Sequence, residues 1–363
     1  MPGMIVHEWL EPFGGAENVV DRFAALYPDA PIQALWNDAP NRYADGRVAE
    51  SWVARTPLRK HKALALPFLP QTWRSLPARD IDWIVCSSHL FAHHARFAGP
   101  AREAPKYVYV HTPARYLWNP EIDDRGRNLA VKLLSPALRH IDHKRAAEAT
   151  SIVGNSKAVR DRIREHWDVD AGVLYPPVDV QDFRTDPELN DDDMRVLASL
   201  PSEYLLGASR FVPYKQLHTV VRAGAASGLP VVLAGDGPDR ELLRALAEQL
   251  GVRVHFVIHP RRELLKELYR RAVAYVFPAV EDFGIMPVEA MASGAPVIGR
   301  RVGGVAETVA DGVSGALIDN FEGSEFRSAL EIATSLDREQ VRARADLFDA
   351  TVFDRKVRDW LPS

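Results

Sequence analysis

Residues 272–294 read AVAYVFPAVEDFGIMPVEAMASG, and the order of residue types in this stretch decides the fold. The apolar run 272–278 suits a short strand buried on both faces, as strands of parallel sheets are. A loop with Glu281 and Gly284 follows. Pro287 then suits the first position of a helix, where a missing N–H costs nothing. Gly294 suits the left-handed cap that ends such a helix. Strand, glycine turn and helix in that order are the repeating unit of a doubly wound α/β sheet.

The same stretch carries chemistry. Glu281 and Glu289 flank the glycine turn and the helix start, eight positions apart. Backbone N–H groups near Phe283, Gly284 and Ile285, together with the helix dipole, form an anion site. Two carboxylates beside an anion site make sense when the ligand also carries hydroxyls. A nucleotide-sugar has both: phosphates for the N–H groups, sugar and ribose hydroxyls for the acids. Glu289 alone reads as a first-turn acid that complements the dipole. Paired with Glu281 across the turn, it reads as a ligand group.

Outward from this stretch, short apolar runs alternate with helical patterns along most of the chain. Strands are expected at 4–7, 31–35, 83–87, 106–111, 150–154 and 172–175, then at 204–208, 231–234, 254–257, 273–277, 297–299 and 315–317. Helices are expected between them at 16–26, 156–166, 216–226, 239–250 and 262–271. Pro176-Pro177 and the acidic stretch 186–193 read as an exposed linker. The reading is α/β: two doubly wound Rossmann-like domains, residues 1–180 and 181–350, with a cleft between their strand carboxyl ends.

Composition fits an ordinary globular chain of 363 residues: 47 % hydrophobic, 26 % charged, net charge −4. That charge argues against nucleic acid as a partner, which normally needs a basic surplus. The single cysteine, Cys86, forms no intrachain disulfide. No apolar run approaches the roughly 20 residues that span a bilayer. The start at Met4-Ile5-Val6 does not read as a basic-then-apolar leader. A soluble, cytoplasmic protein is the expectation.

Several unusual residues fall at the same topological place, the carboxyl end of a strand, where doubly wound sheets bind ligands. Gly14 and Gly15 follow the first strand and open a helix; they also read as a plain tight turn. His111 ends the strand 106–111, with Arg115, Tyr116 and Trp118 close behind. It reads either as a structural histidine capping the loop before Pro113 or as a ligand group. Arg210 ends the strand 204–209, and Lys215, five positions on, stands at the next helix start. Both suit phosphate binding better than a solvated face. His93-His94 lacks a third ligand at metal spacing, so no metal is expected there. The AGDGP turn (234–238) and Gly303-Gly304 read as strand-to-helix turns, the latter able to approach a pyrophosphate through backbone. Neither the G-x-x-x-x-G-K-[ST] phosphate loop nor the G-x-S-x-G elbow is present.

Taken together, GGAEN (14–18), YVHTPARYLW (109–118), GNSKAVRDRI (154–163), YPPVDVQDF (175–183), ASRFVPYKQL (208–217), AGDGP, EDFGIMPVEAMASGAPVIG and GGVAETV resemble one family nearly end to end. That family is the retaining nucleotide-sugar glycosyltransferases of GT-B fold and E-x7-E (family 4) type. The H-T-P-x-R-Y-x-W segment is similar to that of O-antigen and capsule mannosyltransferases. The resemblance implies two Rossmann-like domains facing each other across a cleft. The N-terminal domain would take the acceptor, the C-terminal domain the donor, and a last helix, about 351–363, would return to the N-terminal domain.

It also implies roles. Glu289 would bind donor ribose hydroxyls and Glu281 the transferred sugar, with the backbone at Phe283, Gly284 and Ile285 holding sugar and phosphate. Arg210 and Lys215 would neutralise the diphosphate, the work a metal does elsewhere, so no cofactor is implied. His111 would sit near the reacting carbon, and Gly14-Gly15 would let the first loop approach the diphosphate. The implied partners are a nucleotide-diphosphate sugar, GDP-mannose first, and a glycan or lipid-linked acceptor in cell-surface polysaccharide or glycolipid synthesis. Two departures stand out: 258–262 replaces a glycine-containing loop near the base, and Asn119 stands where an aspartate commonly follows the tryptophan. A sugar-nucleotide isomerase, a glycoside phosphorylase and a non-catalytic binding subunit are the competing readings.

Between 55 and 79 the chain holds Arg55, Arg59, Lys60, Lys62, Arg74 and Arg79 without an acid, interleaved with Leu64, Leu66, Phe68, Leu69 and Trp73. It reads either as a basic surface or as a contact with anionic membrane at the inner face of the plasma membrane. Prolines at 57, 67 and 70 rule out one long amphipathic helix.

Overall fold

The computed structural model describes residues 1–118 and 129–362. By its contacts the chain divides into two compact units, Met1–Pro177 with Phe353–Ser363, and Val178–Val352.

The N-terminal unit is built on a parallel sheet of seven strands: β1 (Gly3–Leu10), β2 (Ile32–Asn37), β3 (Val48–Glu50), β4 (Trp83–Ser88), β5 (Lys106–Val110), β6 (Ser151–Gly154) and β7 (Gly172–Val173). Their order is β3-β2-β1-β4-β5-β6-β7. Each strand's alternation sends neighbours to opposite faces. Met4, Val6, Ile84 and Cys86 enter one core with Trp36, Trp73 and Trp167. Ile5 and Val85 enter the other with Phe23 and Phe353. Phe353 belongs to the last helix, Ala350–Trp360, and lies 5.7 Å from Phe23. Burying such a ring contributes about 1.5–3 kcal/mol. The register pairs His7 with Ser87, and Ser88 with Val110. His111 therefore lies one residue past the end of β5, not inside it.

The C-terminal unit has six parallel strands: β8 (Leu205–Ala208), β9 (Val231–Ala234), β10 (Val254–Val257), β11 (Ala274–Phe277), β12 (Val297–Arg300) and β13 (Gly315–Ile318). Their order, β10-β9-β8-β11-β12-β13, repeats the permutation of the first sheet. Each strand expected from sequence is present within three residues at either end; the edge strand β3 and a separate pair of short strands, Leu76–Ala78 and Phe97–Ala98, are additional.

The acidic stretch 186–193 is an exposed, irregular segment only as far as Asn190. Asn190 caps a helix, Asp191–Ser199, in a reciprocal capping box with Asp193. Asp193 is buried and pairs with Arg261 at 2.7 Å. A row of acids at a helix start complements the dipole, which the linker reading missed. Among the described residues, no helix is long and apolar enough to cross a membrane.

Candidate functional site

In the C-terminal unit the candidate residues gather at the carboxyl ends of β8 and β11. The helix after β11 runs Ile285–Ala292, so it starts two residues before Pro287. Pro287 is still in the first turn, where an absent N–H leaves nothing unpaired. Gly284 is the N-cap at φ 85°, a left-handed position that glycine fills without strain, and no side chain caps the helix. Gly304 shows why the later glycine pair is needed. A Cβ there would lie 2.2 Å from Phe283 Cα, and its N–H donates to the Glu281 carbonyl at 2.8 Å. The Gly303-Gly304 loop thus clamps the backbone of the Glu281–Phe283 loop.

Lys215 and Glu281 meet as a part-buried ion pair. Lys215 does not start a helix; it ends a 3₁₀ turn, Pro213–Lys215, ahead of the helix Leu217–Ser227. Arg210 is exposed and donates to the Tyr214 hydroxyl at 2.6 Å. It has no acidic partner among the described residues. Glu289 is half-buried, and no donor reaches its carboxylate among the described residues. Burial raises its pKa from 4.5 to about 7, against a weaker pull from Arg262. These groups offer cations, an uncapped helix start, and an acid poised between charged and neutral forms.

In the N-terminal unit the ends of β1, β4 and β5 carry a polar network that the sequence reading did not assemble. His111 Nε2 lies 2.8 Å from Ser87 Oγ, and Ser87 Oγ lies 3.1 Å from His7 Nδ1. Glu8 is fully buried and accepts backbone N–H bonds from Leu90 (2.9 Å) and Ala92 (2.8 Å). Ser88 joins Glu8 to His93, with Ser88 Oγ 3.0 Å from His93 Nδ1. Burial first, then His89 and His7, holds the His111 pKa well below 6.5. Gly14 is the extended N-cap of the helix Gly15–Leu26, and both glycines are exposed. The Glu17 carboxylate folds over that helix start: a Cβ on Gly14 would lie 2.0 Å from its Oε2. Burial raises the Glu17 pKa.

His93 and His94 do gain a third group. Asp142, from the helix Leu129–Ala146, lies 3.1 Å from His93 Nε2 and 3.0 Å from His94 Nε2. Its other oxygen accepts from the indoles of Trp118 and Trp167, both at 2.7 Å. The signals for these residues were local. His7-Glu8 interrupts an apolar strand, and Ser87-Ser88-His89 ends another. Asp142 had none, since its partners lie 24 or more residues away.

The basic segment 55–79 folds into short turns and helices, and half of its cations are paired: Arg59 with Asp38, Lys62 with Glu11, Arg74 with Glu148. Trp52, Leu64 and Phe68 are exposed near it. In the departing loop, His259 has φ 47°, a left-handed conformation that favours glycine, and its Nε2 lies 3.3 Å from Asp236. Asn119 lies outside the described residues.

Two family models match successive stretches: Glycosyltransferase Family 4 over residues 13–182, and Glycosyl transferases group 1 over residues 191–346. The structure is similar to that of Anabaena Alr3699/HepE in complex with UDP, with a TM-score of 0.72 at 19 % identity over 99 % of both chains. The fold is that of the GT-B glycosyltransferases. Sucrose-phosphate synthase from Thermosynechococcus elongatus has the same fold, with a TM-score of 0.71, 16 % identity, and coverage of 99 % of this chain and 98 % of the other. By sequence, the D-inositol 3-phosphate glycosyltransferase of Mycolicibacterium smegmatis is 33 % identical over 70 % of this GT-B chain and 55 % of its own length. The chain spans about half the length of the curated relatives it matches.

Proposed function

We propose that this protein is a glycosyltransferase that moves a hexose from a nucleotide-diphosphate sugar to a hydroxyl acceptor. The observation that carries the reading is the grouping in the C-terminal unit: the Lys215–Glu281 pair, exposed Arg210, the uncapped helix at Ile285 and the donor-free carboxylate of Glu289. Breaking the anomeric C–O bond leaves negative charge on the diphosphate and positive character on the sugar. Fixed cations and N–H dipoles aimed at that charge lower the barrier without covalent help. Arg210 and Lys215 take the diphosphate, Glu281 the sugar hydroxyls, Glu289 the ribose, and His111 the sugar near its reacting carbon. No metal is needed in this scheme, and the configuration is retained.

GDP-mannose is the first donor candidate. UDP is the ligand of the Anabaena neighbour, so UDP-sugars stand beside it. The acceptor is a glycan or lipid-linked hydroxyl in cell-surface polysaccharide or glycolipid synthesis. The name of the mycobacterial relative adds inositol 3-phosphate to the acceptors worth trying. A thermal-shift panel of GDP-, UDP-, ADP- and dTDP-sugars tests the reading. One nucleotide class should raise the midpoint in the wild type and fail to do so in Glu289→Ala. A panel with no response to any donor would overturn it.

We also propose that exposed Leu64 and Phe68, with Arg55 and Lys60, which have no acidic partner among the described residues, touch anionic lipid at the inner face of the plasma membrane. Flotation with vesicles containing anionic lipid should recover more protein than flotation with neutral vesicles, and Leu64→Asp/Phe68→Asp should abolish the excess. Equal recovery from both vesicle types would sink the idea.

A further inference from the structure

His111 is the one candidate residue whose useful atom can be settled by following hydrogen-bond donors and acceptors. His7 Nδ1 lies 3.1 Å from the Ser87 carbonyl oxygen, and a carbonyl only accepts. His7 therefore carries its proton on Nδ1 and donates it toward Ser87, whose Oγ lies at the same 3.1 Å. The Ser87 hydroxyl must also place its own proton, and among the described residues its hydrogen-bond partners are His7, which donates, and one other nitrogen. The nitrogen in reach is His111 Nε2, at 2.8 Å. A nitrogen that accepts is bare, so the ring proton of neutral His111 sits on Nδ1. That Nδ1 has no partner among the described residues.

His7 fits this order. Burial lowers its pKa, so it is neutral at pH 7, and its Nε2 is fully buried with no hydrogen-bond partner. A charged His7 would bury an Nε2–H with no hydrogen-bond acceptor, its nearest carboxylate being Glu17 at 4.0 Å, which costs more than a bare nitrogen in the same place. The parallel register fixes the arrangement, because His7 and Ser87 are directly opposite on β1 and β4.

We propose that Ser87 is a positioning residue that holds His111 in its Nδ1–H tautomer, so that His111 offers its ligand a hydrogen-bond donor and not a base. The role of His111 at a sugar rests on the function proposed above; the tautomer does not. Under that reading the atom facing Nδ1–H is an oxygen lone pair of the sugar or the leaving group. A proton released by the acceptor hydroxyl does not go to His111, because its one bare nitrogen is closed by Ser87.

The test uses the full chain labelled with ¹⁵N-histidine. Two-bond ¹H–¹⁵N correlation spectra separate the two tautomers, and His111→Gln assigns the signal. The wild type at pH 7.5 should show a protonated Nδ1 and a bare Nε2 at His111. Ser87→Ala should shift it toward Nε2–H, and Ser87→Thr, which keeps the hydroxyl, should restore the wild-type pattern. An unchanged signal from His94, which bonds to Asp142 and not to Ser87, verifies folding in each variant. An Nε2–H tautomer in the wild type, or one unmoved by Ser87→Ala, overturns the proposal. Once a donor is in hand, Ser87→Ala should lower kcat about tenfold at unchanged donor KM, matching one neutral hydrogen bond. A fall in KM affinity alone would count against it. If no sugar is transferred at all, the transferase reading fails while the tautomer measurement still decides this one.

Discussion

Two carboxylates, one in each unit, are pushed in opposite directions. Asp142 is fully buried, yet ring nitrogens of His93, His94, Trp118 and Trp167 surround it. Burial alone would raise its pKa; the histidines outweigh that and hold it well below the usual carboxylate range. Glu289 meets some solvent but no donor among the described residues, and burial raises its pKa to about 7. A carboxylate with donors on both oxygens is a structural tie. One kept desolvated and unmet stores unfavourable free energy that a ligand's hydroxyls can release. The two units share a strand order, so the difference lies in what their loops bring to the strand ends.

The largest effect should come from breaking the tie. Asp142→Asn keeps the shape but removes the charge and turns an NH₂ toward donors. The loss should be roughly 3 kcal/mol, as when one partner of a buried charged network is removed. Because Asp142 is held ionised, its stabilisation is fully present above the unfolded carboxylate range and is lost as pH falls below that range through the lower folded value. Thermal unfolding followed by tryptophan fluorescence should show a clear drop in midpoint, since Trp118 and Trp167 bond to Asp142. An unchanged midpoint would break the comparison at its first side.

How much of this was legible follows from the range of the interactions. The strands were readable because each is a short apolar run bounded by polar residues. The E-x7-E stretch was readable because its turn and helix start are adjacent in sequence. The helix start was misplaced by two residues: Pro287 tolerates any first-turn position, and Gly284 is the residue that sets the boundary. The ion pair of Lys215 with Glu281 joins residues 66 apart, and Asp142 reaches His94 across 48. Pairings over such distances are set by strand order, which no local pattern encodes. Ser87 was passed over for a related reason: a serine closing an apolar strand is common, and only the register beside His7 gives it a task.

The smaller and more telling effect belongs to Glu289. Its pKa is about 7 in the folded chain against an ordinary 4.5, so the folded state binds a proton more tightly than the unfolded one. Stability is therefore highest below the ordinary value and declines as pH rises toward 7. Glu289→Gln should remove that decline. The full shift corresponds to roughly 3 kcal/mol, and because the side chain is partly in solvent the variant should be more stable than wild type at pH 8 by about 1–2 kcal/mol, and equal to it near pH 4. Ligand binding should run the other way. Ribose hydroxyls donate best to the ionised acid, so the donor-induced thermal shift of the wild type should grow from pH 5.5 to about 7 and level off above. In Glu289→Gln it should be flat, with affinity lower on the order of tenfold or more, as for a lost hydrogen bond to a charged group. Gain of stability and loss of binding in one variant is the signature of a site residue. A variant that loses both would make Glu289 a tie of the same kind as Asp142, and the contrast between the two units would collapse.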